Sequence, residues 1–174
     1  MDILIEQLYK RKKNWKVITI QTLIFVSTIT LSMAAYFFVN ILSSFLPFGN
    51  FFGMLAIIGL VYVGYKFFMT FDLEFEYIYL SGEIDIDKII SKSDRKRVLT
   101  AKCINFEKFG IYDAKSEAEI KTIPVDKSFN FSSNTGAKQY YAIFKHREFK
   151  KTLMIFEPEE RIVDDMKKYI KYQI

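Results

Sequence analysis

Residues 17–65, VITIQTLIFVSTITLSMAAYFFVNILSSFLPFGNFFGMLAIIGLVYVGY, hold no Asp, Glu, Lys or Arg. The run is broken once, at Pro47-Phe48-Gly49-Asn50. A helix needs about 20 predominantly apolar residues to cross a hydrocarbon core of about 30 Å. These 49 residues therefore accommodate two spans and a tight turn, but not three. The expectation is a transmembrane helical hairpin over residues 17–71, turning near 47–50.

Charge divides the rest of the chain. Up to Phe71 there are six Lys/Arg against two Asp/Glu; from Asp72 onward there are nineteen against eighteen. The shift marks a boundary. It predicts a basic N-terminal segment over 1–16, the hairpin over 17–71 and a charged domain over 72–174. Lys10, Arg11, Lys12, Lys13 and Lys16 precede the first span, whereas the turn carries no charge. Lys/Arg asymmetry across short flanks orients membrane helices, so the N-terminus and the C-terminal domain are expected on the cytoplasmic side of the inner membrane. Lys66 fits a snorkelling position at the end of the second span, and Trp15, Tyr62 and Tyr65 fit an interfacial belt. A cleavable signal is the rival reading, but its apolar core runs to only about 7–15 residues, and this one continues far beyond. Ile3, Leu4, Ile5 and Leu8 suggest one face of a short interfacial helix; the simpler reading makes the basic cluster a topology signal alone.

Within the second span Gly49, Gly53, Ala56 and Gly59 form a run of small residues, with Ala34 and Ala35 as candidate opposite numbers. Small residues let helices approach closely. Packing between the two spans is the simpler use and homo-oligomerisation the alternative. Only Gln21 and Asn40 are strongly polar at membrane depth, which argues against an ion pathway.

After Phe71 the pattern alternates. Leu73, Phe75, Tyr77 and Tyr79 share one side of a strand, Ser81-Gly82 reads as a turn, and Glu83 to Asp87 alternates again, giving a two-residue hairpin. A third strand is expected from Arg97 to about Phe106, then a break at Gly110–Asp113 and a helical turn over Ala114–Glu119. Phe129–Lys138 reads as a loop, and Tyr140–His146 and Thr152–Phe156 as strands. Pro158 opens a last helix. Acidic residues come early and Lys167, Lys168 and Lys171 late, complementing the helix dipole. Ile162, Val163, Met166, Tyr169 and Ile170 form its apolar face. The fold class is thus a membrane α-helical hairpin plus an α+β domain, an antiparallel sheet or barrel closed by an amphipathic C-terminal helix.

The two spans, the juxtamembrane hairpin Tyr79-Leu80-Ser81-Gly82-Glu83-Ile84-Asp85, the later strands and the terminal helix resemble the bacterial pleckstrin-homology-like (PH-like) membrane proteins. More narrowly, Glu76 to Ile86 is similar to a Glu-x-x-Tyr-x-x-Gly-Glu-Ile-Asp-Ile-like run in small clostridial-type membrane proteins with no assigned activity. The resemblance implies a PH-like domain and no reaction.

The residues themselves point away from catalysis. Glu83, Asp85 and Asp87 put three carboxylates on one strand face, but alternation with Ile84 and Ile86 explains them as a solvent side, and no His or Gly-rich loop accompanies them. Cys103 is the single cysteine and reads as a small buried residue. His146 is the single histidine and forms half of no metal pair. No cofactor or metal site is expected. The basic clusters Lys145, His146, Arg147, Lys150 and Lys151, and Arg95, Lys96 and Arg97, are the candidate contacts for an anionic lipid headgroup, with solvated turns as the bland alternative. Near-neutrality from Asp72 onward argues against nucleic acid. The function expected is a membrane-anchored, non-enzymatic binding or scaffold module recruiting a protein partner or contacting anionic lipid. An accessory subunit joined to a larger complex through the hairpin is the alternative.

Overall fold

The computed structural model of the chain describes residues 4–45 and 48–170. Ile3, Pro47 and Lys171, used above for an apolar face, the turn and a helix end, lie outside the described residues. The chain forms two compact units: Lys13–Asp72, and Met1–Lys12 together with Leu73–Ile174.

The first unit is two antiparallel helices, α1 (Trp15–Ser43) and α2 (Gly49–Met69). At 1.5 Å per residue they are about 43 and 31 Å long. Both are long and apolar enough to cross a membrane. Asn14 caps α1 by accepting from the Trp15 N–H at 2.7 Å, so the helix starts two residues before the expected 17. Polar side chains on these helices bond back to backbone carbonyls, so their donors are met within the unit. Thr22, Thr28 and Thr30 each donate to the carbonyl four residues earlier. Asn40 donates to the Tyr36 carbonyl, and Gln21 is buried with its amide donating to the Phe68 carbonyl at 2.9 Å.

Two four-stranded sheets make the second unit. Strands β1 (Leu4–Lys10), β2 (Leu73–Leu80), β3 (Glu83–Ile90) and β4 (Asp94–Lys102) lie in that order and are all antiparallel. A 3-10 turn at Cys103–Asn105 leads to the second sheet. It holds β5 (Phe106–Ile111), β6 (Lys127–Asn130), β7 (Tyr140–His146) and β8 (Lys150–Phe156) in the order β5-β7-β8-β6. Helix α3 (Ala114–Lys121) precedes β6, and α4 (Glu160–Tyr169) is the last described element.

Alternation builds the core between the sheets. Ile5, Phe75, Tyr77, Tyr79, Ile84 and Ile86 pack with Phe144, Met154 and Phe156 of the second sheet and with Ile162, Val163 and Met166 of α4. The opposite side chains of β7 and β8, Tyr141, Ile143, Leu153 and Ile155, pack with Ile120 of α3 in a second cluster. The second sheet is therefore apolar on both faces, as its unbroken hydrophobic strands require.

The hairpin at Ser81-Gly82 forms as expected, with φ of 42° and 90° at the two turn residues, the left-handed pair of a type I′ turn. A Cβ on Gly82 would also lie 2.7 Å from the Tyr169 ring, so only glycine fits. The terminal helix also forms, with Ile162, Val163 and Met166 buried as expected, but Tyr169 is exposed and Ile170 follows the helix as its extended cap.

Several expectations are corrected. The sheets do not close into a barrel, and β6 pairs parallel with β8. The third strand ends at Lys102, and the segment read as a break lies at the end of a further strand, β5. Residues 4–10 are neither an interfacial helix nor a bare basic tail. They pair with β2 from Leu4↔Leu80 to Lys10↔Glu74. The domain expected over 72–174 thus begins before the apolar helices, which are inserted between two neighbouring strands of one sheet. Burial of Ile5 and Tyr9 against that core outweighs any helical pattern in the segment.

Polar contacts lock this insertion point. Arg11 N–H donates to the Leu73 carbonyl and Lys12 N–H to the Ser133 carbonyl, at 2.9 and 2.7 Å. The Tyr9 hydroxyl bonds with Tyr77 and donates to the Phe131 carbonyl. Gln7 bridges the chain end of β8, donating to the Glu157 carbonyl and accepting from Glu159 N–H. Buried Glu157 accepts from Ser133 N–H at 2.9 Å and from the Gln139 amide at 3.1 Å.

A basic cleft beside an unpaired strand edge

Among the described residues β4 pairs only with β3, so one edge of the first sheet is open. On the second sheet, β5 begins at Phe106 opposite Phe144, which leaves Lys145 and His146 of β7 beyond its reach. The two unpaired stretches border a cleft of about 510 Å³. Arg97 through Lys102 form one wall, and Phe144 through Phe149 the other. Leu99 and Phe144 are buried, and Val98 and Phe149 half-buried, so the recess has apolar parts under a charged rim.

The β7–β8 turn is built by His146. Its Nδ1 accepts from the N–H groups of Glu148 and Phe149, at 3.1 and 3.3 Å, and its ring stacks on Phe149 at 4.8 Å. The three-residue loop closes through Lys150, whose φ is 57°, the left-handed position that such loops need. His146 is thereby committed to shaping the turn. Exposed Lys145 and Arg147 project from it.

The charges of β4 are spent differently. Arg97 reaches Asp85 at 2.6 Å and Asp87 at 3.0 Å, Arg95 reaches Glu76 at 2.8 Å, and Lys102 lies 3.6 Å from Glu83. Thr100 donates to Asp85 at 2.6 Å. The flanking carboxylates hold the Arg97 guanidinium above its ordinary range, with the Asp87 bond as the main cause. Glu83, Asp85 and Asp87 are therefore the counter-charges of a cross-strand lattice with β4. Residues 95–97 lie on a strand, not on a connection.

The two basic clusters read from sequence thus meet in part. Arg97, Lys145, His146 and Arg147 border one cleft. Arg95 and Lys96 lie farther along β4, and Lys150 and Lys151 belong to the far side of the hairpin, with Lys151 lying 3.6 Å from Glu107. Lys102, Val98 and Phe149 also line the cleft and were not singled out. Val98 and Lys102 belong to β4 and Phe149 to the β7–β8 turn, and only the gap between the sheets brings them together.

The remaining candidates lie away from this cleft. Cys103 is buried, and burial pushes its thiol up to about 12, away from the thiolate form that a reactive cysteine needs. No group of three or more His, Cys, Asp or Glu side chains is placed to hold a metal among the described residues. In the helical unit, a Cβ on Gly53 would fall 2.1 Å from Val39, and one on Gly64 2.3 Å from Thr28. Gly49 likewise faces Ser43, and Ala56 and Ala35 border the same groove between the helices. Gly59 has nothing within 4 Å of its Cβ position. The small residues serve the contact between α1 and α2, Gly59 excepted, and Gly64 is a contact missed in the sequence. The basic run divides as well. Lys10, Arg11 and Lys12 belong to the sheet unit, where Arg11 sits over the Phe75 ring. Lys13 pairs with Asp72 at 2.8 Å in the helical unit, which also holds Trp15 and Lys16 at the start of α1 and Lys66, over the Tyr62 ring, in the last turn of α2.

Comparison with known families matches the whole chain. The family described as Bacterial PH-like domain (DUF6106) covers residues 1–174. No curated protein and no solved structure matches the chain.

Proposed function

The chain belongs to the bacterial PH-like domain family DUF6106, and from that premise we propose that it is a membrane-anchored, non-enzymatic binding module. The helices α1 and α2 form the anchor, and the split sheet domain presents the contact surface at the cytoplasmic face of the inner membrane.

The anchor reading is supported by the strand order. The helical unit leaves β1 and returns to β2, neighbours in one sheet. Both flanks must therefore occupy one compartment, which requires an even number of crossings. Two apolar helices supply it, and the Lys/Arg flanks point that compartment inward.

The observation that carries the binding reading is the cleft between β4 and the β7–β8 hairpin. It combines room, an apolar lining and a cationic rim with an unpaired strand edge, the attributes of a recognition surface. The test compares three full-length proteins in mild detergent: the native chain, one whose α1 and α2 are replaced by an unrelated hairpin, and one carrying Lys145→Glu and Arg147→Glu. A partner retained by the second and lost by the third supports recruitment through the cleft. A partner lost with the native helices and kept by the charge-reversed chain overturns it, in favour of an accessory subunit held in a larger membrane complex by its hairpin.

A further inference from the structure

The cleft's occupant has a recognisable chemistry, and its identification rests on the binding-module reading. We propose that the cleft accepts an extended acidic peptide segment, which adds as a strand to the free edge of β4.

Geometry favours a strand. The cleft follows six successive residues of β4, Arg97 to Lys102, along the side that β3 does not pair. In an antiparallel ladder, alternate residues direct their N–H and C=O groups to opposite sides. The β3–β4 register shifts at Val98, and beyond it, from Leu99 to Lys102, β4 offers alternate donors and acceptors to an incoming backbone. Neighbouring strands lie about 4.8 Å apart, and a recess of about 510 Å³ accommodates a short extended segment. Its apolar parts, Val98 and Phe149, suit alternate small aliphatic side chains of such a segment.

Charge fixes the sign of the partner. Exposed Lys145 and Arg147 stand on the opposite wall, with Glu148 as the one acidic residue of the lining. A second copy is disfavoured, because β4 carries Arg95, Lys96, Arg97 and Lys102 against Asp94 alone. Edge-to-edge pairing would set like charges side by side, the usual protection of an exposed edge. A single phosphate headgroup is disfavoured too. Arg97 is held by Asp85 and Asp87, and His146 Nδ1 by two backbone N–H groups. Two members of the cluster are therefore already engaged, whereas a chain of spaced carboxylates meets Lys145 and Arg147 along its length.

The test uses the full chain in nanodiscs of phosphatidylcholine, with a capped, fluorescent peptide of alternating Glu and Val as the probe. Saturable binding is expected, weakened about tenfold or more by Lys145→Glu with Arg147→Glu. Both sites are exposed, and an unchanged melting temperature checks that this variant folds. N-methylation of one alternate set of peptide residues should abolish binding, and N-methylation of the other set should leave it largely intact. Equal binding of both methylated peptides would overturn strand addition in favour of simple charge adsorption. Displacement of the peptide by short-chain phosphatidylglycerol, with the same sensitivity to charge reversal, would assign the cleft to a lipid headgroup instead. Absence of saturable binding would also overturn the proposal. If the native partner were still lost on charge reversal, the binding-module reading would stand without it.

Discussion

The backbone N–H of Arg11 meets the carbonyl of Leu73 at 2.9 Å, although the whole helical unit lies between them in sequence. The PH-like domain is therefore discontinuous. Its first strand precedes the apolar helices, and the remainder follows them. In the anchored reading, the connection between two antiparallel neighbours is the membrane hairpin itself.

That arrangement makes β1 a structural element, not a tail. Ile5 is 7% exposed within the main core, and truncation of a buried Ile to Ala costs about 2–5 kcal/mol. Ile5→Ala should lower the stability of the sheet domain by that order, measured as urea unfolding of the detergent-solubilised chain. Leu8→Ala is the control, since Leu8 is 59% exposed, and should change stability by less than about 1 kcal/mol.

Glu157 ties the two halves of the domain together. Its carboxylate accepts from Ser133 N–H and the Gln139 amide, while its own backbone meets Gln7 and the Tyr77 hydroxyl. Glu157→Ala would leave the Ser133 N–H buried without its acceptor, a penalty of about 1–3 kcal/mol. Glu157→Gln should recover part of it, because one side-chain oxygen remains. Hydrogen exchange at Ser133 is the direct readout, expected to accelerate most in the Ala variant.

The helix contact makes a sharply localised prediction. Gly53→Leu and Gly64→Leu should separate the helices, because even a Cβ would fall within 2.1 Å of Val39 or 2.3 Å of Thr28. Gly59→Ala should be tolerated, since its Cβ position is open. Thermal unfolding in micelles should fall for the first two variants and stay unchanged for the third.

Acid should loosen α4 through Asp165. Its carboxylate accepts from Lys168 and from the Tyr79 hydroxyl, each at 2.8 Å. The Lys168 bond, then the Tyr79 bond, holds its pKa below the ordinary 3.8. The unfolded chain therefore takes up a proton at Asp165 at higher pH than the folded one does. The contribution is fully present above the ordinary carboxylate range and fades as pH falls through the folded value. Asp165→Asn should remove that acid sensitivity, seen as a flatter plot of unfolding free energy between about pH 5 and 2.

Much of this fold was legible because it is written in short-range patterns. The uncharged run from Val17 to Tyr65 yields two helices, Ser81-Gly82 yields its turn, and the apolar face of Ile162, Val163 and Met166 yields α4. What escaped depends on partners remote in sequence. Leu4–Lys10 carries its apolar residues in adjacent pairs, Leu4-Ile5 and Leu8-Tyr9, which match a helical face, and its strand partner β2 lies beyond two helices. Phe106–Ile111 contains Gly110, which reads as a break until Tyr141 is seen beside it at 3.1 Å from its Cβ position. The cleft was half legible. Lys145 and Arg147 stood out as charge, but the pairing of Arg97 with Asp85 and Asp87 and the gap beside β4 exist only once the sheets are stacked.

The discontinuous domain is tested most directly by joining Lys12 to Leu73 through a short glycine-rich turn, with Lys13–Asp72 removed, and comparing it with Leu73–Ile174 alone. Thermal unfolding followed by circular dichroism is the measurement. The joined chain should be soluble and unfold in one cooperative transition, and the fragment lacking β1 should melt well below it or fail to fold. Equal melting temperatures for the two would contradict the account, because β1 would then add nothing to the sheet.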